Sequence, residues 1–303
     1  MTRLPQIRVL ADGRRLHLQD GPIDLIVEAR GSETNVRATY EAAARRFTGL
    51  LDQLCGELAL LREAADPARC RLRGTVARRM HEAVAPFAAN CFITPMAAVA
   101  GAVAEEILGA MVDAAQLARA YVNNGGDIAL HLADGEQFAV GLLDRPDHHG
   151  LLRTAIIRAG DPTRGIATSG RHGRSFSLGI ADAVTVLAAT ASQADAAATI
   201  IANSIDLPGH PGIVRSPAHD LQPDSDLGAR LVTRGVGALS DREIGDALEA
   251  GAACARKMLA DGLIHGAALR LQGETVVVET RAVDMFKPDR AVRRSATESI
   301  VHV

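Results

Sequence analysis

The sequence predicts an α/β fold of the mixed (α+β) kind, in which antiparallel strands pack against long helices. Three observations predict it. Short runs that alternate apolar and polar residues recur along the chain, and Gly, Asp or Asn bound many of them. Between some of these runs lie segments whose apolar residues are three and four positions apart, which is helical spacing. Hydrophobic residues make up 48% of the 303 residues but aromatic residues only 3%, so the core must be aliphatic.

The first elements predicted are two or three antiparallel strands in residues 7–29. Tight turns are expected at Asp12-Gly13 and Asp20-Gly21, because these pairs are typical of short hairpins. A long helix is then predicted from about Ser32 to Ala64, since Tyr40 and the leucines that follow it keep helical spacing.

The middle of the chain mixes one helix with several strands. Pro86 and Pro95 interrupt the apolar segment 81–111, so a helix is predicted only from about Pro95 to Asp113. Strands are predicted in four segments after it. They are residues 118–132, which hold a glycine turn, and residues 136–144, 152–160 and 164–170.

The last third is predicted to pair one buried strand with two helices and a closing hairpin. The strand covers residues 180–189 and a helix covers 192–205, before a long irregular loop at 207–238. Ser240 and Glu243 form a capping-box pattern that opens a helix to about Leu259. Strands at 263–272 and 274–281 follow, and the polar residues 288–303 are expected to form a mobile tail of a single domain spanning 1–303.

Charge and cysteine content exclude some functional classes. The formal net charge is −3 and Trp is absent, which argues against a nucleic-acid-binding protein. The four cysteines are scattered without zinc spacing, so reduced thiols in the cytoplasm are expected. The first 15 residues hold no apolar signal segment, and the apolar run at 95–104 is too short to span a bilayer, so no membrane association is expected.

Asp195 and Thr199 lie four residues apart in the predicted helix, and therefore on one face of it. A carboxylate and a hydroxyl together suit a hard cation such as Mg²⁺. The alternative is purely structural. Ser192 and Asp195 also fit a capping box, and the Thr199 hydroxyl can bond to a carbonyl one turn earlier.

Two glycine-containing segments are candidates for binding a phosphate. Residues 123–127, Asn-Asn-Gly-Gly-Asp, join two strands and are either a ligand-binding loop or an ordinary hairpin turn. Thr168-Ser169-Gly170, with Arg171, His172 and Arg174 after it, is either a phosphate cradle or a solvated basic loop. Spacing alone favours the structural alternative in both segments.

Cys91 lies in the apolar stretch "NCFITP". A cysteine in such a setting is either a nucleophile or, more often, an inert buried thiol. The sequence leaves its role open.

The order of these segments resembles that of the ApbE superfamily, the FAD:protein FMN transferases. "AYVNNGGDIALHL", "GIATSG" and "AVTVLAATASQADAAATIIAN" follow one another as the family's GGD turn, TSG strand, VTV strand and aspartate-containing helix do. The whole chain looks most like a short, uncharacterised ApbE-like branch, and the resemblance is most specific over residues 91–205. It implies an ApbE-like fold built from two similar halves.

The resemblance also implies a site. The family's magnesium-binding aspartate and threonine match Asp195 and Thr199, and a backbone carbonyl that contributes to the metal matches Ala100. The loops that line the family's flavin pocket match six residues here: Gly125, Gly126, Asp127, Thr168, Ser169 and Gly170.

The function implied is binding of a flavin, FAD or FMN, or of another small phosphate-containing ligand, with a magnesium-dependent FMN-transferase-type reaction toward a protein acceptor. Two family features are missing. No His-x-x-Asp-Pro segment separates the TSG and VTV strands, and Gly101 stands at the family's lysine. The alternative is therefore a non-catalytic accessory protein of sulfur or cofactor metabolism that acts with a partner, and a homo-oligomer is compatible with either.

Overall fold

The structure is a computed structural model that describes residues 4–145, 148–279, 286–288 and 300–302. The strands it contains are Gln6–Val9 (β1), Leu16–Asp20 (β2), Ile23–Arg30 (β3), Arg119–Asn124 (β4), Asp127–Leu132 (β5), Gln137–Arg145 (β6), His148–Arg158 (β7), Gly165–Ser169 (β8), Ala183–Ala188 (β9), Ile213–Pro217 (β10), Leu231–Val236 (β11), Gly266–Leu271 (β12), Glu274–Glu279 (β13), Phe286–Pro288 (β14) and Ile300–His302 (β15). The helices are Glu33–Phe47 (α1), Leu50–Gly56 (α2), Leu58–Leu61 (α3), Thr75–Ala88 (α4), Val99–Ala114 (α5), Ala191–Ser204 (α6), Ala218–Leu221 (α7) and Asp241–Ala260 (α8).

One antiparallel sheet of nine strands organises the molecule, in the order β1-β2-β3-β4-β5-β8-β9-β12-β13. The predicted halves are visible in this order. In the first half, β2 and β3 lead into helices, and the chain returns as the hairpin β4–β5 with β4 beside β3. In the second half, β8 and β9 lead into helices, and the chain returns as the hairpin β12–β13 with β12 beside β9. The halves meet where β5 pairs with β8, with Ile128 opposite Ile166. They therefore share one continuous sheet, and this agrees with the predicted α/β class.

The two faces of this sheet are covered differently. The helices α5 and α6 pack against each other and cover the face of β4, β5, β8 and β9. On the opposite face, Ile128 and Leu130 of β5 join Val140 of β6 and Ile157 of β7 in a second apolar cluster. Because side chains alternate along a strand, Ala129 faces the helices instead.

Several predicted elements are confirmed. The N-terminal strands, the strand–turn–strand at 118–132, the strands at 136–144, 152–160 and 164–170, the buried strand before α6 and the closing hairpin all form. The capping box at Ser240 and Glu243 is present in both directions and opens α8. The helix predicted at 95–113 begins as a 3₁₀ turn at Pro95–Ala98 and continues as α5.

Two predicted helix boundaries are wrong. The single helix expected from Ser32 to Ala64 is three helices, because Gly49 takes a left-handed conformation (φ 78°) after α1 ends at Phe47. The expected break at Pro86 does not occur, since Pro86 lies inside α4 near its end. The buried apolar face of α4 stabilises the helix by more than the loss of the backbone hydrogen bond at Pro86 destabilises it.

The C-terminal third also differs from prediction. The segment 207–238, expected to be an irregular loop, contains β10 and β11 paired as a two-stranded ribbon. At the C-terminal end β15 pairs in parallel with β6, and the mobile tail expected for 288–303 stays a prediction. Residues 289–299 and 303 lie outside the described residues.

Within the described residues, the segment Pro95–Ala114 has the length and hydropathy of a membrane-spanning helix. Half of this segment is buried inside the protein, and α5 packs between α1, α6 and the sheet. Glu106 on it pairs with Arg46 and Arg79 at 2.7 Å each. These are the surroundings of a core helix.

The crossing of α5 and α6 is unusually close at Gly101. A Cβ placed on Gly101 would lie 2.3 Å from the carbonyl oxygen of Ala191, so no side chain fits there. Each helix also supplies a carboxylate to the first turn of the other. Glu105 of α5 accepts from the Ser192 amide (2.6 Å), and Asp195 of α6 accepts from the Gly101 amide (3.0 Å). Such amides have no partner within their own helix.

We therefore expect Gly101→Ala to lower the free energy of unfolding by about 1–3 kcal/mol, because the added methyl group forces the helices apart. Gly109→Ala in the same helix is the matched control, since nothing lies within 4 Å of its Cβ position. It should raise the free energy of unfolding by up to about 1 kcal/mol through helix propensity. Urea unfolding of both variants measures the difference, and equal effects would contradict the close crossing.

Candidate functional site

A two-residue turn brings the first site residue into place. Gly125 (φ 67°) and Gly126 (φ 113°) join β4 to β5, and both angles are those that only glycine adopts easily. The Asn123 side chain accepts from the Gly126 amide at 2.8 Å and closes the turn. Residues 123–127 thus form a hairpin turn, which was the structural alternative to a ligand-binding loop. Asp127 is the first residue of β5.

Asp127 connects the glycine turn to the TSG strand. Its Oδ1 accepts from the backbone amide of Thr168 in β8, at 3.3 Å, and the carboxylate is buried. The Thr168 hydroxyl bonds to that of Thr185 at 2.8 Å, while Ser169 is half-buried beside it. Gly170 follows the strand, and no side chain fits at this position, because a Cβ there would lie 2.4 Å from the Asp182 carbonyl oxygen.

Asp195 is the second carboxylate of the site, and its capping-box interpretation is wrong. The N-cap of α6 is Thr190, whose hydroxyl accepts from the Gln193 amide at 3.3 Å. Ser192 lies inside the helix. Asp195 instead points across to α5, where its Oδ2 accepts from the Gly101 amide. Its carboxylate therefore serves a neighbouring helix.

Thr199 and Ala100 complete the predicted metal set. Thr199 lies one helical turn after Asp195 and is half-buried, and its hydroxyl bonds to none of the described residues, so the predicted bond to a carbonyl is not made. The Ala100 carbonyl accepts from the Asn124 side chain at 3.2 Å. Asn124, which sequence reasoning treated only as a turn residue, thereby ties the start of α5 to the glycine turn.

Both carboxyls hold their protons unusually tightly. Burial raises the pKa of Asp195 to about 7, against hydrogen bonds from the amides of Gly101 and Ala100 that lower it. Burial, followed by the charge of Asp195, raises the pKa of Asp127 well above its usual value, and the Thr168 amide opposes this only in part. In the described part of the chain neither carboxylate pairs with Lys, Arg or His. Two neighbouring carboxylates, Asp127 buried and Asp195 half-buried, are costly when both are charged and no cation is present.

This donor set fits a hard cation. The described residues contain no cluster of three or more His, Cys, Asp or Glu side chains suited to a metal. Mg²⁺ does not need one, because it commonly takes one or two protein carboxylates and completes its shell with phosphate and water. Asp127, Asp195, the Thr199 hydroxyl and the Ala100 carbonyl offer only oxygen, which this ion prefers.

The basic segment after β8 divides into paired and unpaired residues. Arg171 and His172 both contact Asp182, at 2.6 and 3.3 Å, so both side chains already have an acidic partner. Arg174 lies beside Gly125 instead. The cradle predicted from three basic residues is therefore reduced to one.

Cys91 follows α4 at the surface. Its thiol is exposed, so the prediction that Cys91 is buried is wrong. No described contact joins it to the carboxylate pair. Whether it has a chemical role stays open, as the sequence left it.

Comparison with known proteins identifies the family. A model of the family described as "AbpE bacteria" matches residues 7–277. The chain belongs to this family. The match confirms the resemblance to the ApbE superfamily, and the relatives below are consistent with its short, uncharacterised branch.

The relatives named UPF0280 protein match only part of the chain. MK0206 of Methanopyrus kandleri is 42% identical over 129 residues, which cover 42% of this chain and 48% of the relative. The protein of Methanococcoides burtonii is 40% identical over 130 residues, covering 40% and 49%. The chain thus spans about half the length of the curated relatives it matches.

Solved structures of the superfamily match at low identity. Flavinyl transferase ApbE of Pseudomonas stutzeri, in its apo form, aligns with 92% of this chain and 96% of its own, at 12% identity and a TM-score of 0.44. The ApbE protein of Thermotoga maritima aligns with 94% and 100%, at 13% identity and a TM-score of 0.44.

The raised pKa of Asp195 makes the metal-free fold sensitive to pH. A carboxyl that binds its proton more tightly when folded stabilises the protein in acid, and this contribution is lost as pH rises from about 4 to about 7. We expect wild-type protein to lose a free energy of unfolding on the order of a few kcal/mol more than Asp195→Asn between pH 5 and pH 8. Urea unfolding with a chelator present measures it.

Asp52→Asn, at an exposed position of α2, is the matched control and should keep the wild-type pH dependence. Identical pH dependence in wild type and Asp195→Asn would contradict the shifted pKa.

Proposed function

We propose that this protein binds a phosphate-containing ligand, a flavin nucleotide such as FAD or FMN, through a magnesium ion held at Asp195, Thr199 and the Ala100 carbonyl. The pair of carboxylates, Asp127 buried and Asp195 half-buried, carries this proposal, because neither has a cationic partner among the described residues. Asp127, assigned by resemblance to the flavin pocket, contributes the second negative charge. A divalent cation would stabilise the charged forms of these carboxyls, which burial otherwise disfavours.

The ligand would lie against the ends of β5 and β8. Gly125 and Gly126 leave this edge without side chains, so a phosphate can approach the backbone closely. Thr168, Ser169 and Gly170 lie next to Asp127 across the β5–β8 pair. These six positions are the ones that the resemblance assigned to the flavin pocket.

The chain's own residues prepare the site by fixing two carboxylates. The Gly101 amide orients Asp195 and the Thr168 amide orients Asp127, so little reorganisation is needed when a cation arrives. The protons held at these carboxyls leave as the ion binds, which makes binding stronger at higher pH. When bound, the ion would neutralise negative charge on a phosphate group that leaves during transfer.

A transfer reaction also needs a group that removes a proton from the acceptor hydroxyl. The family's His-x-x-Asp-Pro segment is missing, and the described residues between β8 and β9 form a loop fixed by Arg171 and Asp182. This observation favours a second candidate, a flavin-binding accessory protein that acts with a partner and carries out no transfer.

Incubation with FAD, with and without Mg²⁺, tests both candidates. We expect wild-type protein to bind FAD only with Mg²⁺. The transferase candidate predicts in addition the release of AMP together with FMN or an FMN adduct on protein, detected by mass spectrometry, and the accessory candidate predicts intact FAD. Asp195→Asn should lose these activities yet keep its fold, because the amide oxygen still accepts from Gly101. Asp52→Asn is the matched control.

The outcomes separate the candidates. Magnesium-dependent binding with intact FAD would reject transfer and leave the accessory role. FAD binding that is equal with and without Mg²⁺, in both wild type and Asp195→Asn, would reject the metal site itself.

A further inference from the structure

Asn124 carries a buried amide that the hairpin turn does not explain. The turn is closed by its neighbour Asn123, whose side chain accepts from the Gly126 amide. Asn124 is only 8% exposed and lies on the helix side of the sheet, where Val122, two residues earlier, belongs to the apolar core. An apolar side chain would fill this position without burying a polar group. The asparagine therefore points to a polar partner.

Only one end of this amide is used in the structure. The Asn124 Nδ2 donates to the Ala100 carbonyl at 3.2 Å, and Oδ1 accepts from none of the described residues. Little water reaches a side chain that is nine-tenths buried, and a polar atom left unpaired there is destabilising. The unused atom is an oxygen, and oxygen is the donor that a hard cation takes from asparagine and carboxylate side chains.

Three contacts connect the Asn124 amide to the two carboxylates. Asn124 is the residue directly opposite Asp127 in the β4–β5 pair, so both side chains lie on one face with their Cβ atoms about 5 Å apart. Its hydrogen-bond partner is the Ala100 carbonyl, which the proposed function assigns to the metal. The next residue, Gly101, donates its amide to Asp195 at 3.0 Å. The amide thus adjoins the proposed ligands from both halves of the sheet.

We infer that Asn124 supplies a further oxygen ligand to the magnesium ion proposed at Asp195. This inference rests on the proposed function and adds a residue to its site. In the metal-free protein the N–H end of the amide satisfies the Ala100 carbonyl. A cation at that carbonyl repels the N–H end and attracts the oxygen, and rotation about the Cβ–Cγ bond exchanges the two. Asn124 then adds an oxygen to the site without adding charge.

Calorimetric titration of the full chain with Mg²⁺ alone, at pH 8, tests the inference. Asn124→Leu should weaken Mg²⁺ binding about tenfold or more, because it removes the oxygen. Asn124→Asp is the deciding variant. A carboxylate keeps an oxygen at this position but cannot donate to the Ala100 carbonyl, so its Mg²⁺ affinity should equal or exceed that of wild type. If Asn124 only holds that carbonyl in place, Asn124→Asp loses affinity as Asn124→Leu does.

Asn35→Leu is the matched control, because the Asn35 side chain also donates to a backbone carbonyl, that of Gln116 at 2.8 Å, beyond the C-terminal end of α5. It should keep the wild-type affinity for Mg²⁺. Wild-type or tighter binding by Asn124→Leu, or an equal loss in Asn124→Leu and Asn124→Asp, would overturn the inference while leaving the metal site intact. Absence of Mg²⁺ binding by the wild-type protein would instead reject the proposed function, and this inference with it.

Discussion

The contact on which the rest of the structure depends is the close crossing of α5 and α6 at Gly101. A glycine there lets the backbone of one helix touch the carbonyl of the other. At this distance the carboxylates Glu105 and Asp195 each reach the free amides at the start of the opposite helix. The crossing therefore fixes the helices and at the same time directs Asp195 toward the end of the sheet. Any side chain at position 101 is incompatible with this arrangement.

The same geometry destabilises the folded protein when the Asp195 carboxylate is charged. Hydrogen bonds from backbone amides favour the charged form of Asp195, but burial opposes it more strongly and leaves its pKa at about 7. Stability alone would favour one apolar residue at 127 or 195, because a buried carboxylate pair is seldom stabilising. Carboxyls with strongly raised pKa values cluster at functional sites, and this supports the cation site proposed above.

Local signals predicted the elements, and distant contacts decided the site. Asp-Gly turns, helical spacing and the Ser240 capping box each act within a few residues, and those elements form as predicted. Pro86 misled the prediction because tertiary packing holds its helix together. The capping box at Ser192 failed for a related reason, since Thr190 competes for the same helix end. No periodicity reveals that Asp195 turns toward α5, because that depends on the steric fit at Gly101.

The position of the site follows from the way in which the two halves join. Asp127 and Ala100 come from the first half of the sheet and its helices, while Asp195, Thr199 and Thr168 come from the second. Only the pairing of β5 with β8 and the crossing of α5 with α6 bring them together. A cation held by these residues would contact both halves at once. Its binding would then be thermodynamically linked to the stability of the contact between the halves, because a ligand that binds only the assembled halves also holds them together.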